Sequence, residues 1–314
     1  MLNFPYFLKI FSCFNYSMML FLPLLSLTSS DWVLSWFYME IMLMFFYSLF
    51  FKMNQNIMSN YSSMKYFIIQ GMASLFLLVS GMSIFYHSSN IFILSVFFSS
   101  LLIKLGMFPF HFWVISVMKN LNFVMMFLLL ILMKIIPLSF LNLIFVEFSK
   151  FNLFLMLVIL VSLMTLFVGS LMGNNFSSFN LMLGSSSINH SGWLMFSICS
   201  GMLWFYFIIY GIMLWFLLMS IFNLNNMTTF LSLLGLSGLP PFSIFFAKLK
   251  ILSFMIFNKY FMLILILIIL SVISLKFYLK FGFFYFLKLN VILLNFNWLC
   301  VTFLMINTLM MFIY

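Results

Sequence analysis

Long apolar runs alternate with short polar interruptions along the whole chain. The runs are mostly 17 to 25 residues long, which at about 1.5 Å rise per residue matches a hydrocarbon core of about 30 Å. Alternation of the strand type is missing, so the runs read as membrane-spanning helices rather than barrel strands. The connections KMNQNIMSNYSS (52–63), HSSN (87–90), GNNFSS (173–178) and NLNNMT (223–228) are polar and short. Together they predict about eleven spans, near 10–28, 32–51, 64–86, 91–108, 121–141, 151–172, 180–199, 201–220, 229–256, 260–280 and 290–312. None of the connections is long enough to form a soluble domain. The expected organisation is therefore an all-α polytopic membrane protein with a single transmembrane domain over residues 1–314.

Composition agrees with this reading. With 67% hydrophobic and 5% charged residues and a mean hydropathy of +1.29, a water-soluble domain could not hide its apolar surface. The formal charge of +10 comes from 13 lysines against three acids, scattered singly, which argues against nucleic-acid binding. Arginine is absent while Phe (49) and Met (30) abound, as an AT-rich coding genome such as an organelle's would produce. An odd number of spans places the termini on opposite sides. Lys9, Lys52, Lys65, Lys119, Lys280 and Lys288 fall on the N-terminal side against Lys150 and Lys259 opposite, so the positive-inside rule puts the N-terminus inside. Cys13, Cys199 and Cys300 are far apart and read as buried filler. Trp32, Trp36, Tyr86, Trp113 and Tyr260 fall at span ends, where aromatic belts anchor. The first span has no small-residue cleavage site after it and is expected to be retained. No GxGxxG, Walker, CxxCH or iron-sulfur spacing occurs, so no redox cofactor is expected in this chain.

The chemistry is carried by the few charges placed where lipid is expected. LMKIIPLSF (132–140) and GLSGLPPFSIFFAKLKIL (235–252) each join proline and lysine inside an apolar helix, predicting two proline-broken helices, a pointer to ion paths in repeated membrane folds. Pro137 has no N–H, so the Met133 carbonyl loses its helical partner and, in lipid, must find another. A wet pocket holding Lys134 would supply one. A central lysine is unfavourable by about 2.5 to 3.5 kcal/mol on insertion scales, and Lys134 lies too deep to snorkel. It reads as a titrating site, or else as a structural counter-charge.

Glu40 is the only acid well inside a span, and Lys104 is its natural partner, either as a static salt bridge or as a pair that switches as a proton passes. Lys248 follows the second break. His190, among the serines of GSSSINHSGW (184–193), is either a hydrogen-bonded core histidine or a proton relay. His111, at a span end, and His87, in a connection, are weaker candidates.

These residues also carry a resemblance. WVLSWFYMEI (32–41), MKYFIIQGMAS (64–74), KLGMFPFHFW (104–113), LMKIIP (132–137), SSINHSGW (186–193) and GLSGLPPFSIFFAK (235–248), in order along the chain, resemble the chain 2 family of mitochondrial NADH:ubiquinone oxidoreductase, respiratory complex I. The resemblance implies an antiporter-like membrane-arm subunit that lacks the first three helices of its longer relatives and keeps eleven. It implies proton-transfer roles for Glu40, Lys104, Lys134, His190 and Lys248 along a polar chain at the membrane midplane, with Lys134 on a broken helix. NADH, FMN, iron-sulfur clusters and ubiquinone would belong to partner subunits. Partners would be other membrane-arm and accessory subunits and phospholipids such as cardiolipin, in the mitochondrial inner membrane with the N-terminus on the matrix side.

The chain departs from the family in two places. An acid usual after FHFW-V is absent from FHFWVISVMK, and Ile244, Ala247 and Leu249 replace the usual residues after GLPPF. Alternatives from other classes are a free-standing secondary cation/proton antiporter and a scaffold whose lysines bind lipid headgroups.

Overall fold

The computed structural model describes residues 4–53, 57–86, 91–148, 152–288 and 298–312. The helices are α1 (Phe4–Thr28), α2 (Trp32–Met53), α3 (Ile57–Tyr86), α4 (Ile91–Leu105), α5 (Phe112–Met118), α6 (Phe123–Phe127), α7 (Met133–Phe148), α8 (Asn152–Asn175), α9 (Phe179–Cys199), α10 (Leu203–Phe222), α11 (Asn226–Ser237), α12 (Ser243–Phe257), α13 (Phe261–Leu287) and α14 (Trp298–Phe312). No strand occurs among the described residues.

Six described segments are long and apolar enough to cross a membrane, and three shorter apolar helices, Ser12–Thr28, Phe92–Leu105 and Trp298–Met310, join them. With the serine-rich α9 and the interrupted pair α11 and α12, the described helices accord with about eleven spans. His87 and Lys150 lie outside the described residues, as does the start of the last expected span. Lys65 and Lys280, at the ends of their expected spans, stand well inside α3 and α13, which run beyond those ends.

The chain divides into two compact units, Met1–Phe148 and Ser149–Tyr314. In the first, α1 packs on α2, α3 on α4 and α5, and α7 against α1, α2 and α4. In the second, α9 touches α8, α10, α12 and α13, and every residue from Met182 to Ile198 is buried. Outward faces such as those of α8 and α13 are apolar, with Leu153, Met156, Leu160, Phe261, Met262 and Val272 more than half exposed, as lipid-facing helices require.

The proline reading needs one correction. Lys134 does not sit on a broken helix: α6 runs into α7 through a π-helical stretch, Leu128–Leu132, and Pro137 lies within the continuous α7. The Met133 N–H reaches back to the Leu128 carbonyl, five residues earlier. A proline disturbs the hydrogen-bond ladder toward its N-terminal side, and a π turn takes up the mismatch without ending the helix. The true interruptions lie elsewhere. One separates α4 from α5 at Gly106–His111, around Pro109, and the other separates α11 from α12 at Pro240 and Pro241, as expected. Both first halves end on a glycine of positive φ, Gly106 at 68° and Gly238 at 78°, a backbone state that a side chain disfavours.

Two further expectations are revised. Trp113 is buried and donates to the Ile103 carbonyl at 2.9 Å, and Trp36 donates to Ser74 O at 3.3 Å. Both indoles tie helices together, Trp113 from a buried and Trp36 from a half-buried position. Of the cysteines only Cys300 is buried; Cys13 is exposed and Cys199 half-buried.

Candidate functional site

In the first unit, α2 presents Glu40 and α4 presents Lys104, the last-turn residue before the Gly106 break. The Lys104 Nζ lies 3.2 Å from Glu40 Oε1, with the lysine side chain 2% and the carboxylate 21% exposed. The expected pair is thus formed across 64 positions of sequence. The lysine is the deeply buried member of the pair and the carboxylate the partly exposed one.

Lys104 and Lys134 line one cavity of about 20 Å³, together with Tyr66, Gln70, Trp113, Met133 and Pro137. That volume accommodates about one water molecule. Met133, whose carbonyl Pro137 deprives of a partner, and Lys134 therefore share a polar niche. Pro137 lines the same cavity, so the lysine and the helix distortion meet at one place. The Gln70 amide nitrogen is buried with no protein partner, which adds a donor for the same water. Sequence reasoning quoted Gln70 only as part of a family match; a lone Gln in an apolar helix was its signal.

In the second unit, α9 carries His190 on the helix that the serine run made conspicuous. The serine hydroxyls are given to their own helix. Ser185, Ser186, Ser187 and Ser191 donate to carbonyls three residues back in their own helix, which lets a polar sequence live in lipid. Instead, His190 Nδ1 lies 3.0 Å from the Tyr206 hydroxyl of α10, and Nε2 lies 3.0 Å from the Tyr278 hydroxyl of α13. The Tyr210 ring packs at 4.7 Å between centroids. Sequence reasoning missed all three tyrosines, since a tyrosine in a span looks like a belt residue until its hydroxyl is located.

Lys248 on α12 donates to the Ser237 carbonyl at 2.9 Å, at the open C-terminal end of α11, and stands 5.3 Å from the Trp193 ring. The last carbonyls of a helix are unsatisfied and bear partial negative charge, so the break in the chain is what holds the ammonium. A Cβ on Gly238 would meet Lys248 Nζ at 2.8 Å. A second cavity of about 280 Å³, lined by Lys248, Trp193, Ser237, Leu267 and Ser271, adjoins the lysine. The other half-helix is capped from α14, where the Asn307 side-chain oxygen accepts from Ser243 N–H at 3.1 Å.

Asn307→Leu is expected to orphan this buried N–H and to destabilise the unit by about 1 to 3 kcal/mol. A lowered melting temperature of the detergent-extracted protein checks it, and an unchanged one refutes it.

Lys250, two positions past Lys248, points instead to Phe205, 4.3 Å above its ring. His111 lies buried at the N-cap of α5, outside both clusters. Lys276, inside α13 and exposed, escaped the sequence reading. Among the described residues no group of three His, Cys, Asp or Glu side chains is placed to hold a metal. The five expected site residues thus fall into two clusters, Glu40, Lys104 and Lys134 in one unit, His190 and Lys248 in the other.

Comparison with known proteins accords with this arrangement. The family described as NADH:quinone oxidoreductase/Mrp antiporter, TM, matches residues 29–231. NADH-ubiquinone oxidoreductase chain 2 of Albinaria caerulea is 38% identical over 270 residues, 85% of this chain and 87% of that protein. The protein of the same name from Rhipicephalus sanguineus is 38% identical over 82% of this chain and 84% of its own length. Among solved structures, a chain of respiratory complex I from Thermus thermophilus superimposes with a TM-score of 0.72 at 17% identity, covering 90% of this chain and 72% of that one; at that identity the likeness speaks for the fold alone. A helical membrane fold of about eleven spans, the ordered motifs and the extent of these matches lead to one conclusion: the chain belongs to the NADH:quinone oxidoreductase/Mrp antiporter membrane family.

Proposed function

We propose that this chain is the chain 2 subunit of an NADH:ubiquinone oxidoreductase, a membrane-arm component that takes part in moving protons across the inner mitochondrial membrane as electrons pass from NADH to ubiquinone. The observation that carries this reading is the buried Glu40–Lys104 pair, 3.2 Å apart, beside a water-sized cavity that Lys134 shares. A carboxylate, two amines and one water form a minimal hopping path. A proton reaching Glu40 weakens its hold on Lys104, and a cation released at Lys104 is felt at Lys134 through the water. Lys248 at its helix end and His190 between two phenols offer equivalent stations in the second unit. NADH, FMN, iron-sulfur clusters and ubiquinone are assigned to partner subunits, and the N-terminus to the matrix side. Other membrane-arm subunits and phospholipids such as cardiolipin would cover the apolar outer faces.

The decisive test is a mild-detergent extract resolved on a native gel, stained for NADH oxidation and identified by peptide mass spectrometry. This chain in a very large NADH-oxidising band supports the reading. Migration alone and inactive toward NADH overturns it in favour of a free-standing antiporter.

A high-resolution map of the intact assembly is expected to contain one ordered water between Lys104, Lys134 and Gln70. An empty, dry cavity there would remove the link between the two lysines.

A further inference from the structure

The two units hold their buried lysines differently. The acids of the chain, Asp31, Glu40 and Glu147, all lie in the first unit, so the second carries no acidic side chain. Lys104 therefore has a carboxylate within its own unit, whereas Lys248, 6% exposed on α12, has none. Among the described residues its hydrogen-bond partner is the Ser237 carbonyl, and the Trp193 ring stands 5.3 Å away. As an ammonium it has three hydrogens to give, so two remain. A buried cation with only dipoles beside it is costly, and a counter-charge relieves that cost.

The cavity of about 280 Å³ that Lys248 lines offers a way to bring one in. Phe245 and Leu252 of α12 and Leu267, Val272 and Leu275 of α13 make most of its wall apolar. The α13 side leads from the interior to the outer face, since Leu267 is fully buried and Val272 is 61% exposed. It also reaches the middle of that 27-residue helix, a depth that lies within the hydrocarbon layer. An apolar pocket with one cationic group and a side toward lipid selects an amphiphile of opposite charge.

From this geometry we propose that the cavity is a binding site for a long-chain carboxylic acid, whose carboxylate pairs with Lys248 and whose acyl chain lies along α12 and α13. Depth decides between the acids that a membrane contains. A phospholipid headgroup is ionised and tied to the interface by its glycerol backbone, whereas a carboxylic acid enters hydrocarbon in its neutral form, which avoids the cost of an isolated charge. The step balances without a further reactant. A neutral acid meeting the neutral amine breaks its O–H bond and forms an N–H bond, which yields the ammonium with its counter-charge and brings no net charge into the lipid.

The test uses the intact complex in inner-membrane vesicles. Its probe is hexadecanoic acid carrying a diazirine in the chain, with unlabelled hexadecanoic acid or hexadecan-1-ol as competitor, and the labelled peptide is located by mass spectrometry after irradiation. Label is expected in the cavity-lining segments of α12 and α13, displaced by the acid at about a tenth of the membrane concentration that the alcohol needs, the factor that a hydrogen bond to a charged group supplies. In Lys248→Met that preference should disappear.

Equal displacement by acid and alcohol in the unaltered complex overturns the carboxylate site and leaves a groove for any acyl chain. Displacement by an anionic phospholipid in preference to the acid overturns it in favour of a phosphate headgroup. A retained preference in assembled Lys248→Met removes the lysine as the partner and refutes the proposal. Absence of label from both segments refutes it too, because a neighbouring subunit then closes the cavity. The comparison of acid with alcohol needs no variant, so it decides even where Lys248→Met fails to assemble. Binding is read without proton transfer, so each of these failures leaves the role proposed above for Lys248 standing.

Discussion

Lys134→Met is expected to assemble into the complex at near-normal levels and to lose proton translocation coupled to NADH oxidation. Methionine keeps the length of the side chain and removes its charge. Because Lys134 is 5% exposed within α7, a neutral apolar replacement does not harm packing and can even favour it. The proton-transfer step itself has no substitute at that position. A general acid or base in such a step contributes on the order of 10²-fold or more, so the expected fall is large. Proton uptake by vesicles, normalised to assembled complex, measures it. Retained pumping in an assembled Lys134→Met complex would sink the relay role and leave a structural counter-charge.

The second large effect is expected at Glu40. Glu40→Gln leaves Lys104, with its side chain 2% exposed, as a buried cation without its counter-charge. Breaking one side of a buried pair costs about 3 to 5 kcal/mol when the remaining charge persists. The variant should therefore lose pumping and also assemble less well. The double variant Glu40→Gln with Lys104→Met removes both charges, so it should recover assembly while pumping stays lost. That non-additivity, measured as a cycle of the two single variants and the double one, separates the two roles of the pair. Full pumping in Glu40→Gln would reduce the pair to a static salt bridge.

The candidates that sequence exposed share one property: each is a charge or a histidine where hydrocarbon is expected. Glu40, Lys104, Lys134 and Lys248 stand out because an ionised group in lipid is costly at any position, whatever its neighbours. Gln70, Tyr206, Tyr278 and Asn307 did not stand out. Amide and phenol groups are ambiguous in an apolar run, since each can sit at an interface, bond to its own helix or reach across to another. Only the packing of α10 and α13 against α9 turns Tyr206 and Tyr278 toward His190, across 16 and 88 positions of sequence. Likewise, Asn307 caps α12 from 64 positions away.

The broken helices divide in the same way. At Pro240 and Pro241 two consecutive prolines beside Gly238 leave no helical alternative, so the break was legible. A single proline at 137 announces a distortion but not its form, because the helix can answer with a gap, a kink or a π turn. The interruption at Gly106–His111 was read as the end of a span rather than as a break, since a glycine and one proline serve either purpose.

The sequence by itself determined the class of protein, its many apolar spans and the charged residues that need an explanation. These follow from local physics: an apolar run in lipid must satisfy its backbone within its own helix, so its length and composition are enough. Tertiary structure alone decided which polar groups meet, that Lys104 and Lys134 share one cavity, that serines serve their own backbone while tyrosines serve the histidine, and that a helix end holds Lys248. Those outcomes depend on how helices rotate and approach one another, where packing and interhelical hydrogen bonds choose among faces of nearly equal hydrophobicity. A chain whose helices are apolar on almost every side does not write that choice into its periodicity.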